Sequence, residues 1–214
     1  MITIVGVGAM ASLFAARLGE HVPARMLGSW VDAVSAINAA GIRLETATGE
    51  KVIRVSATTV SEECGGSQFA LVLVKSWQTG RAAQQIKSLL APDGVALTLQ
   101  NGIGNLETLS AELGPDRAAL GVTTQGATLI GPGHAREGGR GAIHIGAHPR
   151  IQPLVDLLVA ADFDTHVAPD VTSLAWGKLA VNAAINALTA LLRVPNGELL
   201  ERPFAPALMD EAAR

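Results

Sequence analysis

The chain opens Ile2-Thr3-Ile4-Val5-Gly6-Val7-Gly8-Ala9-Met10-Ala11, and the fold is read from this stretch outward. The four apolar and β-branched residues read as a buried strand. The Ala/Leu-rich residues up to about Gly19 read as a helix, and the glycines between them supply the turn. In this G-x-G-x-x-A pattern each small residue has its own task. Gly6 permits the tight turn, Gly8 leaves room for a pyrophosphate beside the backbone, and Ala11 lets the helix pack closely on the strand. Unpaired N–H groups of the first helical turn then face the phosphates. A glycine-rich turn without a ligand has the same letters. The strand before it and the helix after it favour dinucleotide binding through Gly6, Val7, Gly8, Ala9, Met10 and Ala11.

Outward from this unit, short β-branched runs alternate with helical stretches over the first 130 residues, the pattern of a parallel sheet with crossover helices. Residues 22–27 are the predicted second strand, followed by a helix to about Ala40. Gly41-Ile42-Arg43-Leu44-Glu45 and Val52-Ile53-Arg54-Val55 alternate around Thr48-Gly49, which predicts a solvent-facing hairpin inserted in the crossover. The continuous apolar run 69–74 suits a central strand buried on both faces. A helix over 80–90 is expected to stop at the turn Pro92-Asp93-Gly94, with 95–99 the next buried strand. Residues 122–130 and 142–145 read as two strands joined by a long turn carrying Gly131-Pro132-Gly133 and Gly138-Gly139-Arg140-Gly141. A helix over 151–161 and a strand over 164–167 close the first domain, and from Asp170 the chain reads as helical. The expected fold is α/β, with a doubly wound sheet over 1–169 and the beginning of an all-helical domain over 170–214. About two helices are too few to cover an almost wholly apolar one, and residues 203–214 stop in mid-pattern, so truncation of this second domain is expected.

Of the 214 residues, 49% are hydrophobic and 16% charged, against about 25% charged in an average soluble domain, so the chain folds around a sizeable core. A net charge of −3 without a basic patch excludes nucleic-acid backbones as the main partner. Tyr is absent and Phe and Trp number only four and three, too few for a single-strand stacking platform. Cys64 is alone and no Cys/His cluster has metal spacing, so no metal and a reducing cytoplasm are expected. His21, His134, His144, His148 and His166 are scattered and are given no catalytic role. Residues 1–16 lack a basic region and are broken by Gly6 and Gly8, so no leader is expected. The apolar stretch near Leu174 carries Lys and Asn, so no membrane anchor is expected.

An NAD site usually places a carboxylate after the second strand to hold the ribose hydroxyls. Here that strand ends Met26-Leu27-Gly28-Ser29-Trp30, with none. A 2′-phosphate would meet no repelling charge, and Ser29 or the nearby Arg25 could bond it, which favours NADP over NAD. A simple helix N-cap is the other reading of Ser29. Open parallel sheets bind ligands past the carboxyl ends of their strands. Lys75 follows the run 69–74 and Gln100-Asn101-Gly102 follows 95–99, so Lys75 and Asn101 share that edge. Taken singly, Lys75 could be a solvated cation and Asn101 a turn former.

The stretch 174–192 is apolar nearly all round, which predicts a buried helix. Yet Lys178, Asn182 and Asn186 recur every four residues, on one slowly drifting face. Buried amides and ammonium groups are costly when unpaired, so this stripe faces a cavity, a ligand or a polar partner, unless it is an exposed face or a structural ladder. A desolvated lysine has a lowered pKa, which makes its ammonium a better proton donor near neutral pH. Asn196 follows in Pro195-Asn196-Gly197-Glu198.

Together, Gly6-Val7-Gly8-Ala9, Val74-Lys75-Ser76-Trp77-Gln78, Gln100-Asn101-Gly102-Ile103-Gly104, Trp176-Gly177-Lys178-Leu179-Ala180-Val181-Asn182, Asn186-Ala187-Leu188-Thr189-Ala190 and Pro195-Asn196-Gly197-Glu198-Leu199 resemble the ketopantoate reductase (2-dehydropantoate 2-reductase) family. The resemblance runs over the whole chain. It implies a Rossmann-type domain binding NADPH, a helical domain closing the cleft, and reduction of ketopantoate to pantoate on the route to pantothenate and coenzyme A. It implies that Lys178 protonates the alkoxide, that Asn182 and Asn186 bind the substrate's hydroxyl and carboxyl ends, and that Asn101 contacts both cofactor and substrate. Lys75 would lie by the nicotinamide ribose, and Asn196 is a further substrate-site candidate.

Two departures bear on these expectations. Gly28-Ser29-Trp30 stands where members commonly have an arginine for the 2′-phosphate. The chain also ends before the helices that carry a serine and an acidic residue of the substrate site, so it is expected to bind cofactor better than it turns over. The expected partners are a 2-keto acid and, as a candidate, a second copy of the chain. A related reductase of another small 2-keto acid, or an inactive cofactor-binding protein, are the alternative readings.

Overall fold

The computed structural model describes residues 1–213. In chain order the elements are β1 (Ile2–Val5), α1 (Ala9–Gly19), β2 (Ala24–Leu27), α2 (Val31–Ala40), β3 (Ile42–Thr46), β4 (Gly49–Ile53), β5 (Ser56–Thr58), β6 (Ser67–Val72), α3 (Thr79–Leu89), β7 (Leu90–Thr98), α4 (Asn105–Leu113), β8 (Ala118–Thr123), β9 (Ala127–Gly131), β10 (His134–Glu137), β11 (Ile143–Gly146), α5 (Gln152–Ala160), β12 (Thr165–Ala168), α6 (Val171–Leu192) and α7 (Ala205–Ala213).

Eight strands form one sheet in the order β12-β11-β8-β7-β6-β1-β2-β5. All neighbours are parallel except β11 against β8. From β1 the chain winds outward in both directions, first through β2 to β5 and then through β6, β7 and β8. The switch between the two directions leaves a crevice beyond the carboxyl ends of β1 and β6, where doubly wound sheets take ligands. Alternate strand residues feed two cores: Ile2, Ile4, Met26 and Leu97 lie in one, with α1 and α5. Val5, Leu27, Ala70, Val72 and Ala96 lie in the other, with α3 and α4. Cys64 is buried in this second core, and burial pushes its thiol up.

A second, four-stranded sheet has the order β4-β3-β10-β9, with β10 parallel to β3. It packs on α1, which is thereby clamped between two sheets. That is why Ala11 to Leu18 are all buried, as a helix apolar all round requires. The predicted hairpin forms, with β3 antiparallel to β4 around Thr48-Gly49 and β4 exposed up to Val52; its inward residues Ile42, Leu44 and Ile53 are buried because the inner face packs on α1.

Three expectations change. Residues 122–130 are not one strand; they are the end of β8 in the large sheet and most of β9 in the small one. The expected glycine turn contains β10, with Gly133 at φ +66° closing the β9–β10 connection. Pro92-Asp93-Gly94 lie inside β7, at a register shift between the pairs made by Ser67 and Phe69, so α3 passes directly into a strand.

α6 begins with Asp170 Oδ1 accepting the Ser173 N–H at 2.9 Å and ends at Arg193 with φ +54°. It was expected to be buried, but only Ala175 and Ala184 are. Trp176 is 55% and Leu191 79% exposed. An apolar perimeter needs cover on every side, whereas among the described residues α6 packs mainly on β8 and β11 at one side and on α7 and the turn before it at another. By length and composition α6 could cross a bilayer; here its first half rests on the sheet.

Candidate active site

The first loop of the chain is built as its letters require. Gly6 has φ +134°, and a Cβ there would lie 3.2 Å from the Leu73 carbonyl oxygen and 3.3 Å from the Ala11 methyl. Ala11 is fully buried behind the loop. A Cβ on Gly8 would meet nothing within 4 Å, so its missing side chain opens space. Gly8 also precedes α1 without a side-chain cap, leaving first-turn N–H groups for a ligand. This cradle fits the pyrophosphate of a dinucleotide.

A cleft of about 540 Å³ runs from this loop across the strand ends. Gly6, Val7, Gly8, Ala9, Met10, Ser29, Lys75, Asn101 and Lys178 all line it. Sites from five separate segments thus share one wall. Arg25, the other candidate for a 2′-phosphate, does not. Its Nε donates to Ser56 Oγ at 3.1 Å and its guanidinium to the Glu63 carbonyl, which turns it away from the cleft.

The floor is locked by Gln100, whose Nε2 donates to the Val74 carbonyl and to Thr79 Oγ1, both at 2.9 Å. Its Oε1 accepts from Thr98 Oγ1 at 2.9 Å, so the ends of β6 and β7 are tied together. Just beyond, Asn101 Oδ1 accepts from Lys178 Nζ at 2.7 Å, and the Thr123 carbonyl at the end of β8 accepts a second Lys178 hydrogen. Burial alone holds the Lys178 pKa below its ordinary value. Among the described residues no opposing carboxylate props it up.

The opposite wall, Gln125 to Ala127, is held by a glycine strap. Gly126 N–H donates to the Gly139 carbonyl at 2.9 Å and Gly138 N–H to that of Gly126 at 2.7 Å. A Cβ on Gly138 would lie 3.0 Å from the Gly126 carbonyl carbon, so the two backbones touch. Arg140 anchors the strap to Asp162 at 2.9 Å and to Glu137 at 3.2 Å. Glu137 in turn pairs with buried Arg17 of α1, whose guanidinium sits 4.7 Å over the Phe163 ring.

Asn182, Asn186 and Asn196 are not at the cleft wall. Asn182 is half-buried one turn beyond Lys178, while Asn186 and Asn196 are exposed. Gln100, Thr123 and the wall 125–127 were not assigned from sequence. Thr123 acts through its backbone, so no side-chain type signals it, and 125–127 fall within a stretch read as one strand. On the small sheet Glu45, Glu50 and His134 lie together, but Arg136 and Arg43 already pair with the two carboxylates. Arg136 holds the Glu45 carboxyl below its ordinary range, so this is a salt-bridge network.

These features define a class: a Rossmann-type α/β domain followed by a helical segment whose lysine reaches the strand ends. The profile described as "Ketopantoate reductase PanE/ApbA" matches residues 2–150, and that described as "Ketopantoate reductase PanE/ApbA C terminal" matches 170–214. The chain belongs to the ketopantoate reductase family of NAD(P)-dependent oxidoreductases. It is 33% identical over 219 residues to the 2-dehydropantoate 2-reductase of Pyrococcus abyssi, an alignment covering 100% of this chain and 71% of that protein. A PanE/ApbA family ketopantoate reductase from Ralstonia eutropha JMP134 superposes with a TM-score of 0.89 at 31% identity, covering 99% of this chain and 71% of that one. The ternary structure of D-mandelate dehydrogenase with NADH and anilino(oxo)acetate shares the fold, with a TM-score of 0.90 at 23% identity over 98% of this chain and 70% of that one.

Proposed function

We propose that the chain reduces 2-dehydropantoate to pantoate with NADPH, a cytoplasmic step toward pantothenate and coenzyme A. The observation that carries this reading is the Lys178 ammonium, held by Asn101 Oδ1 and the Thr123 carbonyl at the rim of the cleft. An ammonium has three N–H donors; two are taken, and the third is free for a substrate oxygen. NADPH, when bound, supplies a hydride to the carbonyl carbon. Lys178 supplies the matching proton to the oxygen and is re-protonated from solvent, so the C=O gains one hydride and one proton. Asn101 orients the donor and touches cofactor and substrate. Asn182 and Asn186 continue the lysine's stripe along α6, which suits the hydroxyl and carboxyl ends of a small acid, with Asn196 beyond them. Lys75 serves the nicotinamide ribose. Ser29, in a strand end without a carboxylate, tolerates the 2′-phosphate. A second copy of the chain is the proposed protein partner, through the apolar face of α6.

The test is 2-dehydropantoate-dependent NADPH oxidation by the wild type and by Lys178→Ala. The variant is expected to lose about 10²-fold or more in kcat while keeping its NADPH affinity. An unchanged rate overturns the lysine's role. Tight NADPH binding without turnover favours a cofactor-binding protein, and faster turnover of another small 2-keto acid moves the substrate.

A further inference from the structure

The two ends of the cleft differ in charge. Lys75 and Lys178 are the only charged side chains among the described residues lining it. Lys178 is held at the ends of β7 and β8, three to four strands from β2, or roughly 14–19 Å across the sheet. Lys75 follows β6, two strands from β2. The end formed by Gly28, Ser29 and Trp30 therefore has neither cation nor carboxylate. Arg25 is committed to Ser56 and Glu63. Asp32, in the first turn of α2, does not line the cleft.

What this end offers is an indole. A Cβ on Gly28 would lie 2.7 Å from Val7 Cγ2, so the end of β2 is pressed against the glycine loop, and the next two residues form the cleft wall. Trp30 is 36% exposed and makes no side-chain capping bond to α2. We propose that Trp30 is the contact for the adenosine half of the cofactor, and that the chain binds NADPH and NADH with closely similar affinity. The proposal rests on the nucleotide reading of the cleft and refines it. A charge-assisted bond to a 2′-phosphate would separate the two cofactors by about 10- to 150-fold; a neutral bond from Ser29 separates them by only about fivefold. Stacking on an indole does not sense the 2′ position at all.

The test is a fluorescence titration of the full chain with NADPH, NADH and ADP-ribose, for the wild type and Trp30→Ala, Trp30→Phe and Ser29→Arg. The NADPH and NADH dissociation constants are expected to agree within about tenfold, NADPH being the tighter. Trp30→Ala should weaken all three ligands alike, by about 5- to 100-fold, and Trp30→Phe should restore most of the loss. Ser29→Arg should open a preference for NADPH of more than about tenfold. A wild-type difference above about tenfold in either direction overturns the neutral end. Undiminished binding by Trp30→Ala, at unchanged thermal stability, overturns the adenosine contact. Binding of none of the three ligands would instead sink the nucleotide reading itself.

Discussion

Gly6 and Gly8 are two residues apart, yet they are glycine for different reasons. At Gly6 the backbone conformation and the Leu73 carbonyl both exclude a side chain. Gly6→Ala is expected to cost about 1–3 kcal/mol in urea unfolding. At Gly8 the space is open, so Gly8→Ala should leave stability unchanged and lower NADPH affinity by about tenfold or more, because the methyl occupies ligand space. Equal losses of stability in both variants would contradict this division. Lys178 gives the pH dependence. Its pKa is lowered by burial, so the ammonium loses its proton below the usual lysine value of about 10.4. Turnover is therefore full below the folded pKa and falls as pH rises through it, and the kcat profile should show a basic limb with a midpoint under about 10.4. For stability the sign is the reverse. The buried ammonium is penalised at low pH, and the penalty lifts as pH climbs from the folded toward the unfolded pKa, so stability rises across that window.

Among elements, α1 does most to connect fold and cleft. Its first turn faces the ligand, and its Arg17 reaches Glu137 at the start of the glycine strap. Both side chains are buried, at 9% and 6% exposure. Removing one leaves a buried charge unpaired: Glu137→Ala is expected to cost about 3–5 kcal/mol, and the double variant Arg17→Met, Glu137→Leu to recover most of it. Chemical denaturation checks this, and a loss in Glu137→Ala under about 1 kcal/mol would show that Arg17 is satisfied by the Phe163 ring and the Asp162 carbonyl alone. β1, β6, α1 and α5 were legible because each is an uninterrupted apolar or Ala/Leu-rich run bounded by turn signals. β9 and β10 were not, since strands of five and four residues between glycines carry too few turns of any period to announce a partner.

Over the whole molecule, the end of α6 and the segment after it carry several of the most exposed apolar side chains. Leu191, Leu200 and Phe204 are 79%, 71% and 80% exposed. Patches of this kind promote association. Light scattering is expected to show oligomers that Leu191→Glu with Phe204→Glu disperses at unchanged stability, and a monomeric wild type would remove the case for a second copy as partner. The sequence by itself determined the strand, turn and helix of the first nineteen residues, the alternation of strands with helices after them and the spacing of the polar residues along α6, because each depends on neighbours within a few positions. Only the tertiary structure decided that Lys178 meets Asn101 and Thr123, 77 and 55 residues away. It also set Asn186 and Asn196 outside the cleft and closed a second sheet over α1. Such contacts depend on which strand ends lie side by side and on how far a helix is turned over them, and no local period encodes either.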